Sequence, residues 1–149
     1  MDGATPLVLR VVKLRAGARI PERHSALASG FDLHACLERG SLVVGESPVR
    51  VPTGIAVAAP AGADVQIRPR SGLAARGVLA VLGTLDADYR GEVIVTMYCL
   101  PAAAPFEIRD GDRIAQLVVA RLAPVTWEHV DALDETVRGH GGHGSTGMR

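Results

Sequence analysis

The chain has 149 residues, enough for one domain with its own hydrophobic core and too few for two ordinary ones. Apolar residues make up 48% and charged residues 21%, which excludes a disordered tail or a low-complexity scaffold. Sixteen Lys and Arg cancel sixteen Asp and Glu, so no global basic field exists to coat a nucleic acid.

In chain order, the N-terminal residues lack a basic stretch followed by an apolar run, so no secretory signal is expected. No run of 18 apolar residues occurs, so no membrane span is expected either. These missing signals place the protein in the cytoplasm, and a nuclear or virus-encoded protein would look the same. Residues 7–14, rich in Val and Leu, read as a strand. Residues 49–51 and 55–57 read as strands around a Pro-Thr-Gly turn. Residues 65–68 alternate apolar and polar side chains, and 73–76 read as one helical turn ending at Gly77. Residues 91–100 form a β-branched run. Residues 106–109 alternate, Asp110-Gly111 signals a hairpin, and 114–122 resume the apolar run. Many short strands with Gly and Pro turns predict an all-β sandwich or barrel. Cys36 and Cys99, far apart and in apolar surroundings, allow one disulfide but read better as buried free thiols of a reducing compartment. Residues 138–149 hold no Leu, Val or Ile and cannot bury a core face. They divide the chain into a domain, 1–137, and a Gly-rich arm.

Several polar segments carry the chemistry. Arg68-Pro69-Arg70-Ser71-Gly72 puts two guanidiniums, a hydroxyl and free N–H groups before a helical turn, a set suited to an anion. Its bland counterpart is a surface arginine pair with a Ser cap. Residues 83–92, GTLDADYRGE, crowd carboxylates and one of the chain's five aromatics into a turn between apolar strands. Asp86 or Asp88 there suits a general base or a metal ligand. Asp32, in SGFDLHA, reads alone as a surface acid. Asp112 and Arg113 read alone as a local ion pair, and Gln116 as an ordinary strand polar residue. In the arm, residues 139–144 fit G-x-G-x-x-G, but no strand–helix frame follows, so it is no dinucleotide fingerprint. The arm still offers Gly-rich backbone with Arg138, Ser145 and Thr146 to phosphate oxygens.

Taken in this order and spacing, SGFDLHA (29–35), RPRSGLA (68–74), GTLDADYRGE (83–92), GDRIAQLV (111–118) and RGHGGHGSTG (138–147) resemble the five motifs of the trimeric dUTP pyrophosphatase (dUTPase) family. The resemblance runs from about residue 8 to the C-terminus. It implies a jelly-roll-like β-barrel in a homotrimer, with three active sites each built from all three chains. The arm would be flexible and close over the site. The implied reaction is hydrolysis of dUTP to dUMP and pyrophosphate with Mg²⁺. That would limit uracil in DNA and supply dUMP for dTMP synthesis. The implied partners are dUTP and other copies of the chain, with no nucleic acid and no membrane.

The resemblance also assigns roles. Asp86 would be the general base for the water attacking the α-phosphorus, and would touch the deoxyribose 3′-OH. Tyr89 would pack on the sugar and exclude a 2′-OH. Backbone groups around Thr84, Leu85 and Asp86 would pair with the uracil edge. Arg70, Ser71, Gly72 and Gln116 would hold the phosphate chain. Arg138, Gly144, Ser145 and Thr146 of the arm would clamp its far end. Mg²⁺ would be chelated mainly by the triphosphate, with Asp32 reaching it through water. Two features depart from the family pattern. His143 stands where a Phe usually stacks on uracil. Leu79-Ala80-Val81-Leu82 lacks the Asn that many bacterial members use on the base. The rival readings are a dCTP deaminase on a related fold and a binding module of the same fold that signals without catalysis.

Overall fold

A computed structural model describes residues 5–141 of the chain; the expectations for His143, Gly144, Ser145 and Thr146 lie outside them. The strands are β1 (Arg10–Lys13), β2 (Gly30–His34), β3 (Ser41–Val44), β4 (Val49–Ala58), β5 (Ala63–Arg68), β6 (Val78–Ala80), β7 (Gly83–Leu85), β8 (Glu92–Cys99), β9 (Phe106–Arg109) and β10 (Arg113–Arg121). One short helix, α1 (Ser71–Ala74), and a 3₁₀ turn at Pro101–Ala103 complete the described elements.

Alternation explains the strands. In β8, Val93, Val95, Met97 and Cys99 are buried, while Glu92, Ile94, Thr96 and Tyr98 are half-buried. In β5, Ala63, Val65 and Ile67 point inward, and Asp64, Gln66 and Arg68 point outward. A period of two with one buried face is the pattern of a sheet packed on one side. The strands pair antiparallel in two four-stranded sheets, β1-β4-β8-β6 and β2-β10-β5-β7, with a smaller β3-β9 pair. Val51, Ile55, Val93 and Val95 of the first sheet share one core with Leu33, Val65, Ile67 and Leu117 of the second. Val44 and Ile108 of the third join it. Each fully buried aliphatic side chain contributes about 1.5–3 kcal/mol, so the aromatic-poor core is held by number. The all-β sandwich expected from the sequence is present.

Two local expectations change. Residues 49–58 are one strand, not two around a turn. The Pro-Thr-Gly segment is an irregularity in the β4–β8 ladder, with Gly54 at φ 69°. A Cβ there would lie 2.8 Å from both Ala18 Cβ and Cys36 Sγ, so close packing as well as backbone demands glycine. Asp110-Gly111 does turn the chain, but it makes no hairpin. β9 pairs with β3, whereas β10 pairs with β2 and β5, so the turn passes the chain from one sheet to another. Asp112 Oδ2 accepts the Arg109 N–H at 2.8 Å, and Gly111 N–H reaches Ala35 O at 2.9 Å. Both cysteines are buried and free. Among the described residues no helix is long and apolar enough to cross a membrane.

Candidate active site

Sheet register brings the polar segments together. Asp32 of β2 lies opposite Gln116 of β10, and Gln116 lies opposite Arg68 of β5. The three form one row on the outer face of the second sheet, beside inward-facing Leu33, Leu117 and Ile67. Gly30 makes the row possible. A Cβ there would sit 2.1 Å from Gln116 Oε1, so glycine leaves the space that the Gln116 amide fills. From that position Gln116 Nε2 donates to Pro69 O at 3.0 Å.

At this end of the row the charges form a clamp. Arg70 Nε faces Asp32 Oδ1 at 3.6 Å, and Arg113 Nη1 faces Asp32 Oδ2 at 3.3 Å. Arg70 Nη1 also donates to the Arg113 carbonyl at 2.9 Å. Two guanidiniums around one carboxylate leave a net positive charge for an anion. Arg70 is extended (φ −89°, ψ 130°) at the N-cap of α1, with no side-chain cap hydrogen bond. The first N–H bonded back within α1 is that of Leu73, to Arg70 O at 3.1 Å, so the Ser71 and Gly72 N–H groups precede the ladder. His34 flanks the clamp. Burial lowers its pKa from the ordinary 6.5, and the charges of Arg19, Arg113 and Arg70 push the same way against Asp32. Its buried Nδ1 has no hydrogen-bond partner among the described residues.

Arg113 is the site residue that sequence reasoning misses. Its neighbour Asp112 is the partner expected from the sequence, yet Asp112 is bound to the Arg109 N–H and Arg113 pairs with Asp32. Arg113 and Gln116 are three apart, which ordinary alternation places on opposite faces. A bulge between Arg113 and Ala115 shifts the register, so Arg113 faces His34 while Gln116 faces Asp32. Both Ile114 and Ala115 are buried as a result. Two successive buried apolar residues in an alternating strand are the available signal.

The Asp86–Tyr89 turn is a separate unit. Tyr89 N–H donates to Asp86 O at 3.0 Å, and Arg90 Nη1 donates to Ala87 O and Tyr89 O. The Tyr89 hydroxyl donates to Glu92 O at 3.0 Å, leaving the residue 43% exposed. A Cβ on Gly91 would meet that hydroxyl at 2.3 Å, so glycine is required for the ring to lie there. Asp86 is exposed. β7 is the outer strand of its sheet, so one backbone edge at Thr84 and Leu85 has no strand partner in that sheet.

Glu92 anchors this turn. Its carboxylate takes two bonds from Arg15, both 2.7 Å, and one from Gly54 N–H at 2.7 Å. Burial tends to raise the Glu92 pKa, but the Arg15 and Gly54 hydrogen bonds outweigh it, and the carboxyl lies below its ordinary 4.5. Its stabilisation is therefore complete above the unfolded value and lost as pH falls through the lower folded one. Glu92→Ala is expected to cost about 2–3 kcal/mol at pH 7. Urea unfolding of both proteins checks this: their difference should shrink steadily below pH 4.5.

The clamp and the turn do not meet within one chain. Val65 pairs with Leu85, so the next residue, Asp86, runs toward Asp64, at the start of β5. Arg70 lies beyond the other end of β5. Six steps of extended chain lead from Asp64 to Arg70, about 20 Å at 3.3 Å each. Arg138 lies in a turn where its Nε donates to Gly141 O at 2.8 Å.

The dUTPase family model matches residues 16–147. The chain belongs to the dUTPase family. A relative in Maricaulis maris (strain MCS10), named deoxyuridine 5'-triphosphate nucleotidohydrolase, is 41% identical over 150 residues, 97% of each chain. Among solved structures, a point mutant of the Staphylococcus bacteriophage 80alpha dUTPase with dUpNHpp has a TM-score of 0.80 at 23% identity. The match covers 94% of this chain and 98% of the phage chain. A point mutant of the dUTPase from phage phi11 of S. aureus, described with a structural Mg(II) ion, has a TM-score of 0.73 at 21% identity. That match covers 84% of this chain and 97% of the other. At these identities the structural likeness speaks for the fold. In family terms, the first, second and fourth motifs build the clamp, and the third builds the separate turn.

Proposed function

We propose that this chain hydrolyses dUTP to dUMP and pyrophosphate with Mg²⁺, in sites shared between the chains of a homotrimer. The observation that carries the reading is the pairing of two incomplete half-sites. One is a cationic clamp of Asp32, Arg70, Arg113 and Gln116; the other is an exposed Asp86 beside Tyr89 at the far end of the same sheet. Either alone does no hydrolysis. The clamp of one chain against the turn of another makes a complete site.

The shape of the chain supports such an assembly. Residues 122–137 follow β10 as an exposed segment in which Trp127 is 96% exposed. A groove of about 540 Å³, lined by Leu7, Leu9, Ile20, Phe31, Leu117 and Val119 among others, is open on the body. The exposed Trp127 segment and this groove are surfaces that another copy of the chain could cover.

The roles follow from chemistry. The Arg70 guanidinium, the Ser71 hydroxyl and the Ser71 and Gly72 N–H groups bind phosphate oxygens, and Gln116 steadies the chain at Pro69. Asp86, held on a stapled turn, orients a water and takes its proton as its oxygen attacks the α-phosphorus. Pyrophosphate leaves. Tyr89 packs on the deoxyribose, and a 2′-OH would meet the ring unpaired. The free backbone edge of Thr84 and Leu85 pairs with uracil, and a 5-methyl group collides there. Arg138 and the residues of the arm, 138–149, close over the outer phosphates.

Among the described residues no group of three His, Cys, Asp or Glu side chains forms a metal cage. A single carboxylate such as that of Asp32 suits Mg²⁺, which keeps waters and phosphate oxygens as ligands. Asp32, whose two oxygens face Arg70 and Arg113, would reach such an ion through its waters. When bound, the ion neutralises phosphate charge. Cytoplasmic residence and a place in dUMP supply belong to the same reading.

Pyrophosphate release from dUTP, dTTP, dCTP and UTP tests it. The reading expects dUTP to be preferred by about 10²-fold or more over each competitor, and chelation of Mg²⁺ to suppress the reaction. Equal cleavage of several nucleotides would sink the assignment of uracil to the β7 edge.

A further inference from the structure

We propose that His24 is a positioning residue for the phosphate clamp: its ring holds the Arg113 guanidinium in the orientation that faces Asp32. The proposal rests on the reading of the clamp as the phosphate site. His24 Nδ1 lies 3.3 Å from Arg113 Nη1. A guanidinium only donates, so the contact is a hydrogen bond in the tautomer whose Nδ1 carries no proton. Arg113 needs such a second anchor. Its side chain is 40% exposed, and it meets Asp32 through a single contact at 3.3 Å. A long exposed side chain held by one ion pair gains little over its lost rotamer freedom.

The segment bearing His24 is itself fastened to β2. Glu22 O accepts the Asp32 N–H at 2.8 Å, as an isolated bridge. The Arg23 guanidinium lies 4.6 Å above the Phe31 ring. Three successive residues therefore contact the clamp or the strand beneath it. Arg113 in turn gives its carbonyl to Arg70. His24 therefore acts on the Arg113 side chain, and Arg70 is held separately through the Arg113 backbone.

A residue acting on the clamp alone changes substrate binding and leaves proton removal at Asp86 untouched. His24→Ala should raise KM for dUTP about threefold to tenfold, with kcat within about twofold. His24→Asn should restore most of the loss, because its amide oxygen stands in for Nδ1. In an Arg113→Ala background, His24→Ala should add nothing further. Unchanged KM in His24→Ala, an Asn variant as weak as Ala, or full additivity with Arg113→Ala would each overturn the proposal. A second readout needs no turnover. In ¹⁵N-labelled protein the His24 Nδ1 resonance should move on Arg113→Ala, and an unmoved resonance removes the contact. Wild-type protein that fails to cleave dUTP, with the resonance still moving, would sink the nucleotide reading and leave the His24–Arg113 tether standing.

Discussion

Replacing Asp86 by Asn will lower kcat for dUTP by about 10²–10⁴-fold, the range for loss of a positioned general base. Nucleotide binding will change by less than about tenfold, because Asn keeps the size and much of the hydrogen bonding of Asp. Asp86 is exposed and sits in a turn closed by Tyr89 N–H, the Tyr89 hydroxyl and Arg90. None of those bonds uses its carboxylate, so the turn should survive the substitution. Single-turnover kinetics with calorimetric binding separates the two effects. A variant that turns over normally would move the base elsewhere, with Asp88 the first alternative.

Replacing Arg70 by Ala will lower kcat/KM by about 10²–10³-fold, as expected when a charged, multidentate phosphate contact is lost. The effect exceeds that of an ordinary surface arginine for a geometric reason. Arg70 spans Asp32 Oδ1 at 3.6 Å and the Arg113 carbonyl at 2.9 Å, so its removal loosens Asp32 and Arg113 together. Lys will rescue poorly, because a point charge cannot serve both positions and a phosphate at once. Stability should change by under about 1 kcal/mol, since the Arg70 side chain is 29% exposed and the pair lies at the surface. Steady-state kinetics and thermal unfolding of Arg70→Ala and Arg70→Lys check both statements. Full activity in the Lys variant would mean that charge alone is used.

The relation between these two residues shows what the sequence can reveal. Period-two alternation in 65–68 and 91–100 exposes the strands, and five ordered motifs expose the family. Pairing between strands is a long-range property and leaves no local trace. The Asp110-Gly111 turn looks like a hairpin because its flanks alternate, yet its two strands enter different sheets. The Pro-Thr-Gly segment looks like a turn because Pro and Gly usually punctuate strands. Inside β4 they mark a bulge instead, packed against Ala18 and Cys36. Arg113 is hidden by the bulge that rotates it onto the face of Gln116. His24 has no signal at all, because its meaning depends on an arginine 89 residues away. Residues named together by the motifs also prove far apart. Only the register shows that Asp86 and Arg70 occupy opposite ends of β5.

That separation makes the shared site the central claim, and mixed oligomers test it most directly. Asp86→Asn and Arg70→Ala chains, each inactive alone, are co-expressed with different tags and purified through both. If the clamp and the base come from different chains, each mixed trimer regains about one intact site in three, and dUTP cleavage returns to a comparable fraction of wild type. A mixture as inactive as its parents would mean that clamp and base serve the same chain, and would contradict the account.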